Sequence, residues 1–334
     1  MNIGLNMPTH GLLTRSGADI FVQNVPADSL PLLDIAERAE SLGYHSLWFP
    51  DHVLMPRESA SAHLVNPESG RNAYPERPNM FDGAVTMGAV AARTNRIKLA
   101  PSVLISPYRH PLSDARQFAT VDVLSNGRLI MAVGPGWCSE EFDALGLSFA
   151  DRGAMTEECI QIYKLAWTEP WVEFHGRFYD FAEVSIDPKP LQRPRPLIVY
   201  GGVTKAGIRR AVRFCDGLYP IVTDPRVGPS AFRELFLIAR QEAAKIGRDL
   251  GQFAMMALVM CHITETGGGA SRAFLSGSPS EIIEDLRQLA DSGYSFCGLH
   301  LDVPSGKVGE FIEQMEQFGE RVLPAAREIQ AAKE

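Results

Sequence analysis

A chain of 334 residues with 45% apolar and 22% charged residues has the composition of a soluble globular protein with a full core. Its formal net charge of -8 excludes a general nucleic-acid binder and predicts no attraction to anionic lipid. No stretch approaches the ~20 apolar residues that span a bilayer, and five scattered cysteines without a CxxC pair read as reduced thiols. With a strand-like start in place of a basic, apolar leader, these features point to the cytoplasm.

The first strand-like run is 3–7, followed by a long polar segment, 8–29. In LPLLDIAERAESLG, Leu32, Ile35, Ala36, Ala39 and Leu42 share one helical face, and Gly43 is placed to close the helix in a left-handed turn. A second apolar run, 46–50, leads into Asp51 and His52 and another long polar segment, 51–79. Further runs follow at 97–103 and 129–133, the latter ending in Gly134-Pro135-Gly136. Met155, Cys159, Ile162 and Ala166 form a helical stripe, and residues 171–187 alternate bulky side chains around His175-Gly176 as a hairpin does. The remaining strand-like runs are 197–200, 217–221, 253–261 and 297–301. The Gly/Ser-rich stretch after the seventh run reads as a mobile lid. The last helix carries Val308, Phe311, Ile312, Met315, Phe318 and Val322 on one face.

Unbroken apolar strands separated by amphipathic helices imply an α/β protein with a parallel sheet covered by helices. Eight such strands with a closing helix predict one (β/α)8 TIM barrel over residues 1–334, with the 171–187 hairpin inserted after the fourth βα unit. A doubly wound sheet is the alternative, but no GxGxxG follows the first strand.

Barrel enzymes carry their chemistry at the carboxyl ends of the strands. Asp51 and His52 sit at such an end. Adjacent strand residues point to opposite faces, so one of the two should face the barrel mouth; the bland alternative is a turn cap beside a surface histidine. Arg109 could hold an anion or be a solvated loop residue. Gly136 permits close backbone approach to a ligand, and Trp137 could wall a flat ring or pack on the barrel rim. Gly201 and Gly202 lead to Thr204 at a predicted helix start, where free N–H groups and the helix dipole favour an anion. Lys205, Arg209 and Arg210 add positive charge there. His10, Asp51, His52, His110, His262 and His300 could approach one mouth, but without HxH at the first strand or HExxH no metal is assigned. No GxSxG elbow offers a nucleophile.

These segments together resemble the bacterial luciferase-like superfamily of flavin- and F420-dependent oxidoreductases. The resemblance is carried by LGYHSLWFPDHV, by RIKLAPSVLISPYRHPLSDARQFATVDVLSNGRLIMAVGPGWCSEEFDALG, by RGAMTEE and by PKPLQRPRPLIVYGG. It implies a (β/α)8 barrel binding a flavin or deazaflavin at the strand ends. In the F420-using branch an Asp-His pair ends the second strand, so the resemblance makes Asp51 a cofactor contact and His52 a proton-transfer residue. It also implies a non-proline cis peptide at Ser102-Val103 backing the cofactor, with Ile105, Pro135 and Gly136 near its ring and Gly201, Gly202, Thr204 and Lys205 around its phosphate. Trp137 stands where the sugar-phosphate dehydrogenases of that branch carry a catalytic Glu, which argues against a sugar-phosphate substrate.

The Asp-His pair and Gly153 favour F420-dependent hydride transfer to or from a small organic substrate, aromatic or heterocyclic compounds being permitted. The alternative is a two-component monooxygenase using reduced FMN, oxygen and a partner flavin reductase. A flavin-binding protein without turnover is the non-enzymatic alternative, disfavoured by a full set of strands. Family habit points to a homodimer.

Overall fold

The computed structural model describes residues 1–17, 19–61, 66, 69–222, 228–269 and 272–331. Eight parallel staves close a barrel: β1 (Asn2–Asn6), β2 (Ser46–Phe49), β3 (Lys98–Pro101, resumed at Leu104–Ile105), β4 (Ile130–Gly134), β5 (Leu197–Tyr200), β6 (Gly217–Leu218), β7 (Ala254–Ile263) and β8 (Phe296–Leu301). The predicted strands are all present, with ends shifted by a few residues.

The third stave departs from the expected single run. Its first half pairs with β2, Leu47 opposite Leu99, while its second half pairs with β4, Leu104 opposite Val133. Between the halves the Ser102-Val103 peptide bond is cis, as the resemblance implied. A bridge between Leu99 and Leu129 completes the closure.

Helices cover the outside. α1 (Leu32–Leu42) buries Leu32, Ile35, Ala36 and Ala39, the face read from the sequence, and ends on Gly43 at φ 88°. A large apolar layer fills the space between staves and helices. A second core fills the barrel itself, where Trp48 stacks on Tyr219 with ring centroids 4.3 Å apart and leans on Phe296 at 5.3 Å. Each such fully buried aromatic contributes roughly 1.5–3 kcal/mol by leaving water. Gly4 makes this packing possible: a Cβ there would lie 2.4 Å from Trp48 Nε1.

The polar segment 8–29 is more organised than its composition indicates. Within 8–29, Leu12–Ser16 and Asp19–Gln23 form an antiparallel hairpin. It is tied to the loop after β2, because Asn66 bonds both the N–H and the C=O of Ile20 and the Val22 N–H donates to the Ala73 carbonyl at 2.7 Å. The second hairpin, Val172–His175 with Asp180–Val184, forms where the sequence placed it. It packs on the helical shell: Tyr179 meets His110 edge-on at 5.5 Å and its hydroxyl meets the Cys159 thiol. The proposed lid falls partly on 270–271, outside the described residues. No helix among the described residues is long and apolar enough to cross a membrane.

Candidate active site

A cavity of about 530 Å³ opens at the carboxyl ends of the staves. Asp51, His52, Ser102, Val103, Ile105, Pro135, Gly136, Trp137, Gly201, Gly202 and Thr204 all line it. Lys205, expected around the cofactor phosphate, is exposed and does not. The hairpin at 12–23 contributes Leu13, Ile20 and Val22, and the loop after β2 contributes Ala73 and Tyr74. Neither the 171–187 hairpin nor any described residue of 262–278 lines it.

His52 is held from behind. Its Nδ1 lies 2.8 Å from Oε2 of Glu141, a fully buried carboxylate in the helix Ser139–Ala144. Glu141 also accepts from the Tyr108 hydroxyl at 2.8 Å and from the N–H groups of Val53 and Leu54 at 2.9 and 3.3 Å. Burial works to raise the Glu141 pKa, but the His52 and Tyr108 bonds and the Val53 amide outweigh it and hold the carboxyl below its ordinary range. An ionised Glu141 accepts a hydrogen bond from the His52 Nδ1–H, so the Nδ1–H tautomer is fixed and Nε2 is left to face the cavity. Trp137 and Tyr74 meet the imidazole edge-on, with centroids at 6.0 and 5.3 Å. The neighbouring Glu140 ties down the same loop, accepting from the Ala60 and Ser61 N–H groups and from the Ser61 hydroxyl. Its bonds hold its pKa at about 2 against desolvation.

Asp51 lines the cavity, but both its oxygens are taken. Arg109 grips them bidentately at 2.9 and 2.7 Å, and the Ile105 N–H donates to Oδ2 at 3.0 Å. Asp51 therefore fixes the turn after the broken third stave, and Arg109 is its partner rather than an open anion site. Val103 fills the space over two glycines: a Cβ on Gly134 or Gly201 would come within 2.6 or 2.7 Å of its methyl groups. This explains glycine at both stave ends in steric terms, with Val103 forming the cavity wall.

At the far end the helix Lys205–Phe214 points its N-terminus into the cavity, capped by Thr204, whose hydroxyl accepts from the Gly207 N–H at 3.1 Å. Arg152 and Arg210 line the same end. Arg210 Nε bonds Glu157 at 2.7 Å, and Gly153 leaves room for it, since a Cβ there would lie 2.4 Å from its guanidinium. Arg152 lies 3.8 Å over the Phe149 ring with its Nε unpartnered. Arg209 instead pairs with Glu242 outside the cavity. Two guanidiniums and a helix N-terminus make an anion site fit for one phosphate. The cavity between this end and His52, walled by Val103, Ile105 and Trp137, suits a flat ring system, so the residues present fit a flavin or deazaflavin.

Arg152, Tyr74 and Glu141 are the residues that sequence reasoning missed. Glu141 had a faint signal in SEEF straight after GPGW, but an acid in the first turn of a helix ordinarily just complements the helix dipole. Among the described residues, no three His, Cys, Asp or Glu side chains gather as a metal would require.

Comparison with known proteins agrees with this architecture. A family model described as Luciferase-like monooxygenase matches residues 7–275. An uncharacterized protein of Mycobacterium tuberculosis is 35% identical over 185 residues, 55% of this chain, and the match spans only 63% of that relative's length. An FMNH(2)-dependent dimethylsulfone monooxygenase of Pseudomonas putida is 29% identical over 292 residues, covering 75% of this chain and 80% of the relative. Among solved structures, the coenzyme F420 dependent tetrahydromethanopterin reductase from Methanopyrus kandleri superposes with a TM-score of 0.71 at 16% identity, covering 97% of this chain and 98% of that one. At that identity the likeness shows the fold alone.

Proposed function

The chain belongs to the luciferase-like monooxygenase family, and on that premise we propose that it is an F420-dependent oxidoreductase transferring hydride to or from a small organic substrate. The observation that carries this reading is His52 in the cavity wall, backed by the buried Glu141 carboxylate and beside the apolar surface of Val103, Ile105 and Trp137. Hydride transfer to a polarised double bond is completed by one proton, and a histidine backed by a buried carboxylate is a suitable donor. Bound with its phosphate at Arg152, Arg210 and the helix N-terminus, the cofactor would supply the hydride.

The protein's own part is orientation, exclusion of water and proton transfer. Nε2 of His52 delivers the proton, or removes it in the reverse direction. Glu141 keeps the other ring nitrogen protonated and stabilises the imidazolium that forms when the ring takes a proton. Trp137 and Tyr74 fix the ring plane and keep solvent away. Asp51 acts by holding the turn that carries Ile105, beside the expected ring position.

A second reading is favoured by one observation. Two arginines at a helix N-terminus suit the dianionic phosphate monoester of FMN as well as the diester of F420. In that reading the protein is a two-component monooxygenase served by a separate flavin reductase. Side-by-side titration with F420 and FMN, each oxidised and reduced, separates the two. Micromolar F420 binding with much weaker FMN binding supports hydride transfer, and the reverse preference overturns it.

A further inference from the structure

The cavity has opposite electrical character at its two ends. Among the described residues that line it, the lysine and arginine charges are those of Arg152 and Arg210, both at the phosphate end. The end that holds His52 is backed by carboxylates instead. Glu141 lies fully buried behind the imidazole, and its other partners are the Tyr108 hydroxyl and two backbone amides. Glu140 beside it bonds amides, serine hydroxyls and the Cys138 thiol, with no lysine or arginine among its described partners. Arg109 is shared between Asp51 and, at 4.0 Å, Asp82. With His52 in its proton-accepting form, the charges of Glu140 and Glu141 therefore stand uncompensated.

The wall in front of these carboxylates is aromatic. Trp137 and Tyr74 are partly exposed, line the cavity and stand edge-on to the His52 ring at 6.0 and 5.3 Å. Aromatic faces carry partial negative charge and attract a cation within about 6 Å of the ring centroid. His300 completes this wall. On the same stave Phe296 belongs to the barrel core and Gly298 abuts the Tyr219 hydroxyl and Leu258, so His300, two residues further on, also points inward. Burial lowers its pKa to about 4, so at neutral pH it adds no positive charge. A carboxylate or sulfonate placed at this end would be repelled, and a neutral compound would gain nothing from the field.

We propose that the His52 end of the cavity selects a small organic cation, an ammonium or iminium compound, seated against Trp137 and Tyr74 in the field of Glu140 and Glu141. A positive centre touching the imidazole lies roughly 8 Å from the Glu141 carboxylate, where an effective dielectric constant of about 20 leaves an attraction equivalent to tenfold or more in affinity. The proposal rests on the hydride-transfer reading for taking this end as the substrate's place, and adds the sign of the substrate's charge.

The test is a titration of cofactor-free protein with benzylammonium, benzyl alcohol and benzoate at fixed ionic strength, read from the NMR signals of 15N-labelled histidines. Excess inorganic phosphate fills the Arg152 and Arg210 end throughout, so that benzoate cannot bind there. Benzylammonium is expected to shift the His52 signals and to bind at least tenfold tighter than benzyl alcohol, with benzoate weakest. Glu141→Gln is expected to cut that preference at least threefold, whereas Glu316→Gln, which removes an exposed charge, leaves it intact. Should Glu141→Gln fail to fold, Trp137→Leu is expected to cut it at least threefold. A wild-type preference below tenfold would overturn the proposal, as would one that these cavity variants reduce by less than threefold. Failure of both F420 and FMN to bind the wild type would count against the hydride-transfer reading instead, and the cofactor-free titration decides the ammonium preference separately.

Discussion

Replacing Glu141 by Gln tests the proton-transfer arrangement without knowledge of the substrate. Glu141 accepts four hydrogen bonds, two at Oε1 from Val53 and Leu54 and two at Oε2 from His52 and Tyr108. A Gln side chain can keep its oxygen on the Val53 and Leu54 amides, which places its NH2 against His52 Nδ1 and the Tyr108 hydroxyl. Both must then accept instead of donate. All four bonds to a charged acceptor, worth about 1.5–3 kcal/mol each, become neutral bonds of about 1 kcal/mol, a loss partly offset because the buried charge no longer has to be kept out of water. Glu141→Gln should therefore destabilise the fold by about 1–4 kcal/mol in urea denaturation. More tellingly, the imidazole 15N shifts of His52 should move from the Nδ1–H to the Nε2–H tautomer. With the wrong nitrogen protonated, turnover should fall by about 10²-fold or more once a substrate is in hand. An unchanged tautomer would refute the reasoning, because it would mean that Glu141 does not set the protonation of His52.

Other expectations follow from the same geometry. Burial depresses the pKa of His10, and of His45 and His300 to about 4, so below pH ~6.5 the unfolded chain binds protons that the folded one refuses, and stability falls as pH drops towards 4. Asp114, whose carboxyl burial pushes up to about 7, acts in the opposite sense over the same window. Three groups against one give a net loss of about 1–3 kcal/mol per pH unit, and a flat urea-midpoint profile between pH 6.5 and 4 would contradict it. Gly4→Ala, forcing a Cβ to within 2.4 Å of Trp48 Nε1, should cost about 1–3 kcal/mol, whereas Gly88→Ala, with nothing within 4 Å on a helix, should stabilise by about 0.4–1 kcal/mol; equal effects would show that the barrel interior yields easily. Arg210→Ala should weaken cofactor binding by about tenfold or more in a fluorescence titration while Lys205→Ala changes it less than twofold; the reverse order would move the phosphate out of the cavity.

The parts of the molecule legible in the sequence were those set by local patterns. The apolar stripe of α1 and its Gly43 stop depend on residues close in the chain, as does the Thr204 cap, and the structure places them as expected. The 12–23 hairpin was missed because it is tied down by distant groups: Asn66, the Ala73 carbonyl and the Val303 N–H that donates to Leu13. The site was legible to a similar degree. One of Asp51 and His52 was expected to face inward from their place at a strand end, and both line the cavity, but the residue that fixes the His52 tautomer comes from 89 positions further along. Cations were predicted from their cluster in TKAGIRR, yet only Arg210 of the three reaches the cavity, since helical rotation turns Lys205 and Arg209 away. Arg152 could not be assigned because its role needs the neighbouring unit's helix.

The two tethers around the pocket divide its wall into parts with different freedom to vary. Glu140 and Glu141 bind the segment 51–61 to the helix that orients His52, so a sequence change in that segment acts on the proton carrier at once. The opposite wall, formed by the 12–23 hairpin and the loop bearing Ala73 and Tyr74, is held together through Asn66 and the Val22–Ala73 bond and, apart from Tyr74 against the His52 ring, makes no such demand. A lineage adapting this barrel to a new compound can therefore rebuild Leu13, Ile20, Val22 and Ala73 while the reaction centre stays in register, and substrate range can drift between close relatives that share one chemistry.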